Sequence, residues 1–123
     1  METKVEKKPT IAIRSKKYAE LAYPLVEKIK GTETEAKYRT LALTFPTMIM
    51  QSGLAQGIGF LMAKDEAHHQ KMLAHLKKLL NNDNLYADIL RSDITTYQKL
   101  TRDAIEASSW LKRYTQALLD KQS

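Results

Sequence analysis

From Thr40 to Ala63 the chain runs TLALTFPTMIMQSGLAQGIGFLMA without a charged side chain, and then turns into the basic segment KDEAHHQKMLAHLKK, which bears all 3 histidines. A stretch that long either crosses a bilayer, which takes roughly 20 apolar residues, or lies in the middle of a helical core. Thr44, Thr47, Gln51, Ser52 and Gln56, with Pro46 and Gly53, make a poor lipid-facing rod, because polar and helix-breaking groups are expensive in hydrocarbon. The core reading follows: two buried helices meet near Gln51, Ser52 and Gly53. Ser52 is placed to cap, Gly53 relaxes the backbone, and Pro46 kinks the first helix.

With 123 residues there is room for one domain around one core. The residues METKVEKKP at 1–9 read as a flexible N-terminal arm, followed by a single α-helical domain over 10–123. Their charge leaves no apolar run for an export signal, so a cytoplasmic protein is expected. The absence of cysteine removes disulfides and thiolate metal ligands together, and apolar packing must hold the fold. A net charge of +6 and a pI near 9.5 are compatible with a polyanionic partner such as nucleic acid, and equally with a basic surface that has none.

Apolar residues recur at spacings of three and four, the period of an amphipathic helix. Tyr18, Leu21, Ala22, Leu25, Val26 and Ile29 form a first stripe, interrupted by Pro24, where a kink or a late start is expected, and closed by Gly31. Thr32 and Glu35 have capping-box spacing ahead of a second stripe, Tyr38, Leu41, Ala42, Phe45 and Ile49. From Leu54 to Leu80 the phase persists across Ala63 and Lys64, predicting one long helix or two in register. The cluster Asn81-Asn82-Asp83-Asn84 ends it. A short segment with Leu85, Tyr86, Ile89 and Leu90 follows, then a last long helix capped by Ser92 or Asp93 and carrying Tyr97, Leu100, Ala104, Ala107, Leu111, Tyr114 and Leu118. No segment alternates as a strand would. The predicted class is all-α, a single compact bundle of about five to six helices.

Lys64, His68, Lys71, His75 and Lys78 are spaced four, three, four and three apart, which puts all five on one face of a continuous helix over about 21 Å. Such a row suits a phosphate backbone, since each neutralised phosphate releases counterions whatever the base sequence, and the histidines would add charge below pH about 6.5. An ordinary solvated face opposite a core explains the same pattern. The histidines do not read as a metal site: His68 and His75 stand about 10 Å apart along the axis, His69 points to the apolar side, and DEAHH lacks the four-residue spacing of a zinc helix. Carboxylates show no paired motif and Gly57-Ile58-Gly59 follows no strand, so neither a catalytic site nor a nucleotide cofactor is expected. The glycines read as points where another helix approaches closely. In Trp110-Leu111-Lys112-Arg113-Tyr114, phase turns Leu111 and Tyr114 inward and Lys112 and Arg113 outward, with Trp110 flanking the seam as a packing residue.

Two segments, KYRTLALTFPTMIMQSGLAQGIGFLMAK at 37–64 and SSWLKRYTQALL at 108–119, resemble the small α-helical subunit of the Cmr complex, the type III-B CRISPR RNA-silencing machine. The resemblance extends to the helix from Ser15 to Lys30, and its weight lies on QSGLAQGIGFLMAK and WLKRY. It implies a non-enzymatic antiviral-defence subunit, present in several copies, stacked along a guide-bearing backbone of larger subunits and lining the channel for guide and target RNA. Carried over by position, Arg39, Lys64, Lys112 and Arg113 are the implied RNA or neighbour contacts, and Lys71 and Lys78 join them from the helix-face argument. The run DEAHHQK departs from the family pattern, so the resemblance does not reach the histidines. The rival is a helical protein-protein adaptor that touches no nucleic acid, its methionines and Trp110 serving helix contacts.

Overall fold

A computed structural model describes residues 11–121. The arm expected at 1–9 lies outside the described residues. Six helices follow in order: α1 (Ile11–Glu27), α2 (Glu35–Ser52), α3 (Leu54–Lys64), α4 (Ala67–Leu79), α5 (Leu85–Arg91) and α6 (Ile94–Leu118). Among the described residues there is no strand, and no helix is long and apolar enough to cross a membrane.

The long pair α2 and α6 packs most extensively, α1 lies along α6, and α4 covers α2 while α3 folds onto α4 and α5 onto α3. One apolar core results, into which α2 sends Tyr38, Phe45 and Ile49, α3 Leu54, Ile58 and Leu61, α4 Met72 and Leu76, and α6 Ala104, Ala107 and Leu111. The uncharged stretch is thus core, divided between α2 and α3.

The division falls on Gly53, whose φ of 92° and ψ of 156° lie in a region that only glycine occupies without strain. Its carbonyl accepts the Gly57 N–H, so the chain turns and re-enters a helix within one residue. Ser52 makes no cap; Tyr97 instead takes up a free helix-start donor, its hydroxyl accepting the Ala55 N–H at 3.2 Å. Gly53→Ala is expected to lower stability by at least about 1 kcal/mol, since a Cβ there is strained and would also sit 3.4 Å from the Tyr97 hydroxyl; urea unfolding read by circular dichroism checks this. Pro46 lies inside α2 and is buried, its missing N–H falling within a helix already held by the core.

Several local details differ from the sequence expectation. Pro24 sits in the last turn of α1 and neither delays its start nor prevents the Lys28 N–H from reaching the Pro24 carbonyl. The Thr32–Glu35 capping box does not form, because α2 begins at Glu35 itself. Thr32 Oγ1 donates to the Ile29 carbonyl, and the Glu35 carboxylate accepts from Gly31 N–H and from Asp120 N–H, tying the α1–α2 turn to the end of α6. Those two donors hold the Glu35 carboxyl below its ordinary range. At α6 the choice falls on Asp93, which accepts the Thr96 N–H at 2.8 Å, while Ser92 bonds back to Ile89.

Candidate nucleic-acid interface

The row of five cations and histidines predicted on one helix is interrupted. Asp65 adopts a left-handed conformation with φ 53°, closes α3 by donating its N–H to Leu61, and is clasped by Gln70, whose amide donates to both its carbonyl and its carboxylate. Lys64 therefore ends α3, while Lys71 and Lys78 stand two turns apart on α4, about 10 Å along its axis. All three are exposed.

His75 leaves the row altogether. It is buried, with Nδ1 2.7 Å from the Tyr38 hydroxyl of α2. Burial, with like-charge repulsion from Lys71, pulls its pKa from 6.5 down to about 4. His68 is mostly covered, and burial, then neighbouring His69, push its pKa down as well, Glu66 opposing and Lys37 assisting. The expectation that both histidines make the face more cationic near pH 6.5 is thus overturned. The reason was visible: Met72, His75, Leu76 and Leu79 fall at i, i+3, i+4 and i+7, so His75 belongs to the core stripe.

Of the other predicted positions, Arg39 is half-buried on α2, and its Nε is covered without a hydrogen-bond partner. A guanidinium keeps its charge at any physiological pH, so this donor is unsatisfied among the described residues. Lys112 is half-covered and Arg113 exposed on α6; Arg113 borders a cleft of about 330 Å³ with Glu106, Ser109 and Trp110. Trp110 is a packing residue, its indole N–H donating to Ser15 of α1 and its ring leaning on Tyr114.

Charge pairing separates two groups of cations. Arg14 pairs with Glu106 and Asp103, Lys16 with Glu20, Lys30 with Asp120, Arg91 with Asp88, and Lys99 and Arg102 with Asp103. Among the described residues no carboxylate pairs with Arg39, Lys64, Lys71, Lys78, Lys112 or Arg113. Lys64 instead lies 6.0 Å from the Phe60 ring centroid. Among the described residues, Glu106 and Asp103 serve the α1–α6 seam, and Glu35 and Asp93 the helix ends.

One grouping was missed. Glu66, the residue preceding α4, brings its carboxylate beside His68 and His69, one ligand atom from each lying within 4.8 Å of the others. Sequence spacing had compared only the histidines with one another and left out the carboxylate that the chain reversal at Asp65 swings back over the start of the helix.

Fold and exterior together define the class: a small, basic, all-α protein with cations left free of acids, among the described residues, on α1, α2, α3, α4 and α6. Its sequence matches the family described as CRISPR-associated protein (Cas_Cmr5) over residues 14–118. It is 31% identical over 111 residues to "CRISPR system Cmr subunit Cmr5" of Thermus thermophilus, a match covering 88% of this chain and 97% of that relative. The crystal structure of a CRISPR-associated Cmr5 family protein from Thermus thermophilus has the same fold, with a TM-score of 0.83 at 29% identity, over 87% of this chain and 97% of the other. The chain belongs to the Cmr5 family, the small α-helical Cmr subunits that its central and WLKRY segments resemble.

Proposed function

We propose that the protein is a non-catalytic subunit of a type III-B CRISPR effector, packing against other Cmr subunits and further copies of itself and helping to hold guide and target RNA. Family membership supports the setting. The observation that supports the RNA part is that Arg39, Lys64, Lys71, Lys78, Lys112 and Arg113, together with Lys17, Lys28, Lys37, Lys77 and Lys121, have no acid partner among the described residues, while Arg14, Lys99 and Arg102 at the α1–α6 seam are paired. Unpaired Lys and Arg spread over several helices suit sequence-independent phosphate contact, with base pairing between the two RNA strands supplying specificity. Arg39 fits this reading, since a phosphate oxygen would satisfy its orphaned Nε.

Contacts of this kind are weak one by one, so the measurement belongs in the assembled complex, where avidity operates. Replacing Lys64, Lys71 and Lys78 together by glutamate is expected to weaken binding of a mixed-sequence single-stranded RNA and to reduce the slope of log affinity against log salt by about 0.7 per lost phosphate contact. A parallel variant at Arg39, Lys112 and Arg113 tests the other faces. Unchanged slopes in both variants would remove RNA contact from the model and leave the adaptor reading. That second reading has its own support in Met50, Leu90 and Ile94, large apolar side chains standing exposed on the exterior and suited to protein contact.

A further inference from the structure

The reversal between α3 and α4 leaves a buried imidazole nitrogen without a partner. His69 is only 6% exposed, and its Nδ1 makes no hydrogen bond. That nitrogen lies 3.8 Å from the Glu66 carboxylate oxygen, and the same oxygen is 3.8 Å from His68 Nε2. The two imidazoles stand side by side with centroids 4.0 Å apart, and Phe60 of α3 meets the His69 ring edge to face at 5.4 Å, fixing its orientation. A buried polar atom left unsatisfied is costly, and one ligand atom from each of these three groups lies within 4.8 Å of the others.

We infer that Glu66, His68 and His69 form a binding site for one divalent transition-metal ion of the zinc class. Imidazole with carboxylate is the donor set such ions prefer, whereas magnesium and calcium seek oxygen alone. Zinc holds nitrogen and oxygen ligands at about 2.1 Å in a tetrahedron, which sets neighbouring ligand atoms roughly 3.4 Å apart. The observed spacings, none above 4.8 Å, approach this without any change of backbone. The adjustment falls to Glu66, whose side chain is largely exposed, and to the His68 ring, which must turn toward His69 while Phe60 holds the latter. On its open side the cluster faces a cleft of about 560 Å³ bordered by Lys37, Thr40, Thr44 and Phe60, where water can complete the coordination. Lys37 opposes the ion's charge and the Glu66 carboxylate offsets it.

The test uses the full chain without a histidine tag, since the chain's own 3 histidines must be the only ones present. Cobalt(II) serves as the probe, because tetrahedral coordination gives it intense visible absorption, with zinc as competitor. One cobalt per chain, displaced by one zinc and bound about tenfold or more weakly in both Glu66→Gln and His68→Asn, is the expected result, since even outer partners of metal ligands cost 10–100-fold. Both substitutions fall outside the core, so unchanged far-ultraviolet circular dichroism should accompany the loss. Absence of saturable binding, or binding that both variants leave unaltered, overturns the site.

Discussion

Phe45→Ala should lower the unfolding free energy by about 3–5 kcal/mol, read as a fall in the urea midpoint at unchanged slope. Phe45 is fully buried at the centre of α2 and faces the point where α3 approaches most closely. That approach depends on Gly57: a Cβ built there would lie 3.4 Å from Ile49 Cγ1 and 3.5 Å from Phe45 Cζ. The contact is therefore full, and removing the ring leaves a cavity lined by a glycine, with no side chain at hand to refill it. Gly57→Leu alone should destabilise too, by about 1–3 kcal/mol, because the inserted methylenes collide with the ring. Combined with Phe45→Ala, it should cost less than the sum, by an interaction of about 0.5–3 kcal/mol, since the new side chain occupies the space the ring vacates. Strict additivity in the double-mutant cycle would show that the two helices do not meet as described.

The same contact shows how far a linear pattern can be read. Three-and-four spacing placed Phe45, Ile58, Leu76 and Leu111 in the core because burial on a helix is periodic, and every one of them is buried. Gly53 and Gly57 were legible as backbone devices because helical glycine costs about 1 kcal/mol and needs a reason, whereas Gly59 meets only the Tyr86 hydroxyl at an ordinary 3.7 Å. The break at Asp65 was harder. Periodicity is blind to a two-residue reversal that preserves phase, and a left-handed Asp has no signature as strong as a glycine's. The pattern left one long helix or two open, and the structure has two; drawing the row of five positions on one continuous rod took the first option, and it also left the Glu66 carboxylate out of the histidine cluster. His75 is a different case. Its position in the α4 stripe could be read, but the partner that makes a buried histidine tolerable, Tyr38, lies on another helix and is joined only by folding. Likewise, which cations are paired depends on α1 lying along α6, which no spacing rule encodes.

The Tyr38–His75 pair should make the protein sensitive to acid, with about 3 kcal/mol of stability lost as pH falls from about 6.5 to about 4. Burial raises the Tyr38 pKa well above its usual value, so the phenol keeps its proton, and the assignment that satisfies this fully buried hydroxyl has it donating to an unprotonated Nδ1. In the folded protein His75 titrates at about 4, against 6.5 when exposed. Between those values the unfolded chain binds a proton that the folded chain does not, so stability rises with pH through the window and is fully present above it. Below about pH 4 the penalty is complete. Protonation there buries a charge near Lys71 and out of water, and makes the Tyr38 hydroxyl turn from donor to acceptor. Replacing His75 by leucine, close to it in bulk and without a charge to bury, should flatten the curve over this range when midpoints of urea unfolding are plotted against pH. Tyr38→Phe strands Nδ1 without a donor and should cost about 1–3 kcal/mol at neutral pH. A wild-type curve already flat between pH 4 and 6.5, or one that keeps its slope in the leucine variant, would mean that acid sensitivity arises elsewhere and that His75 is not held neutral in the core.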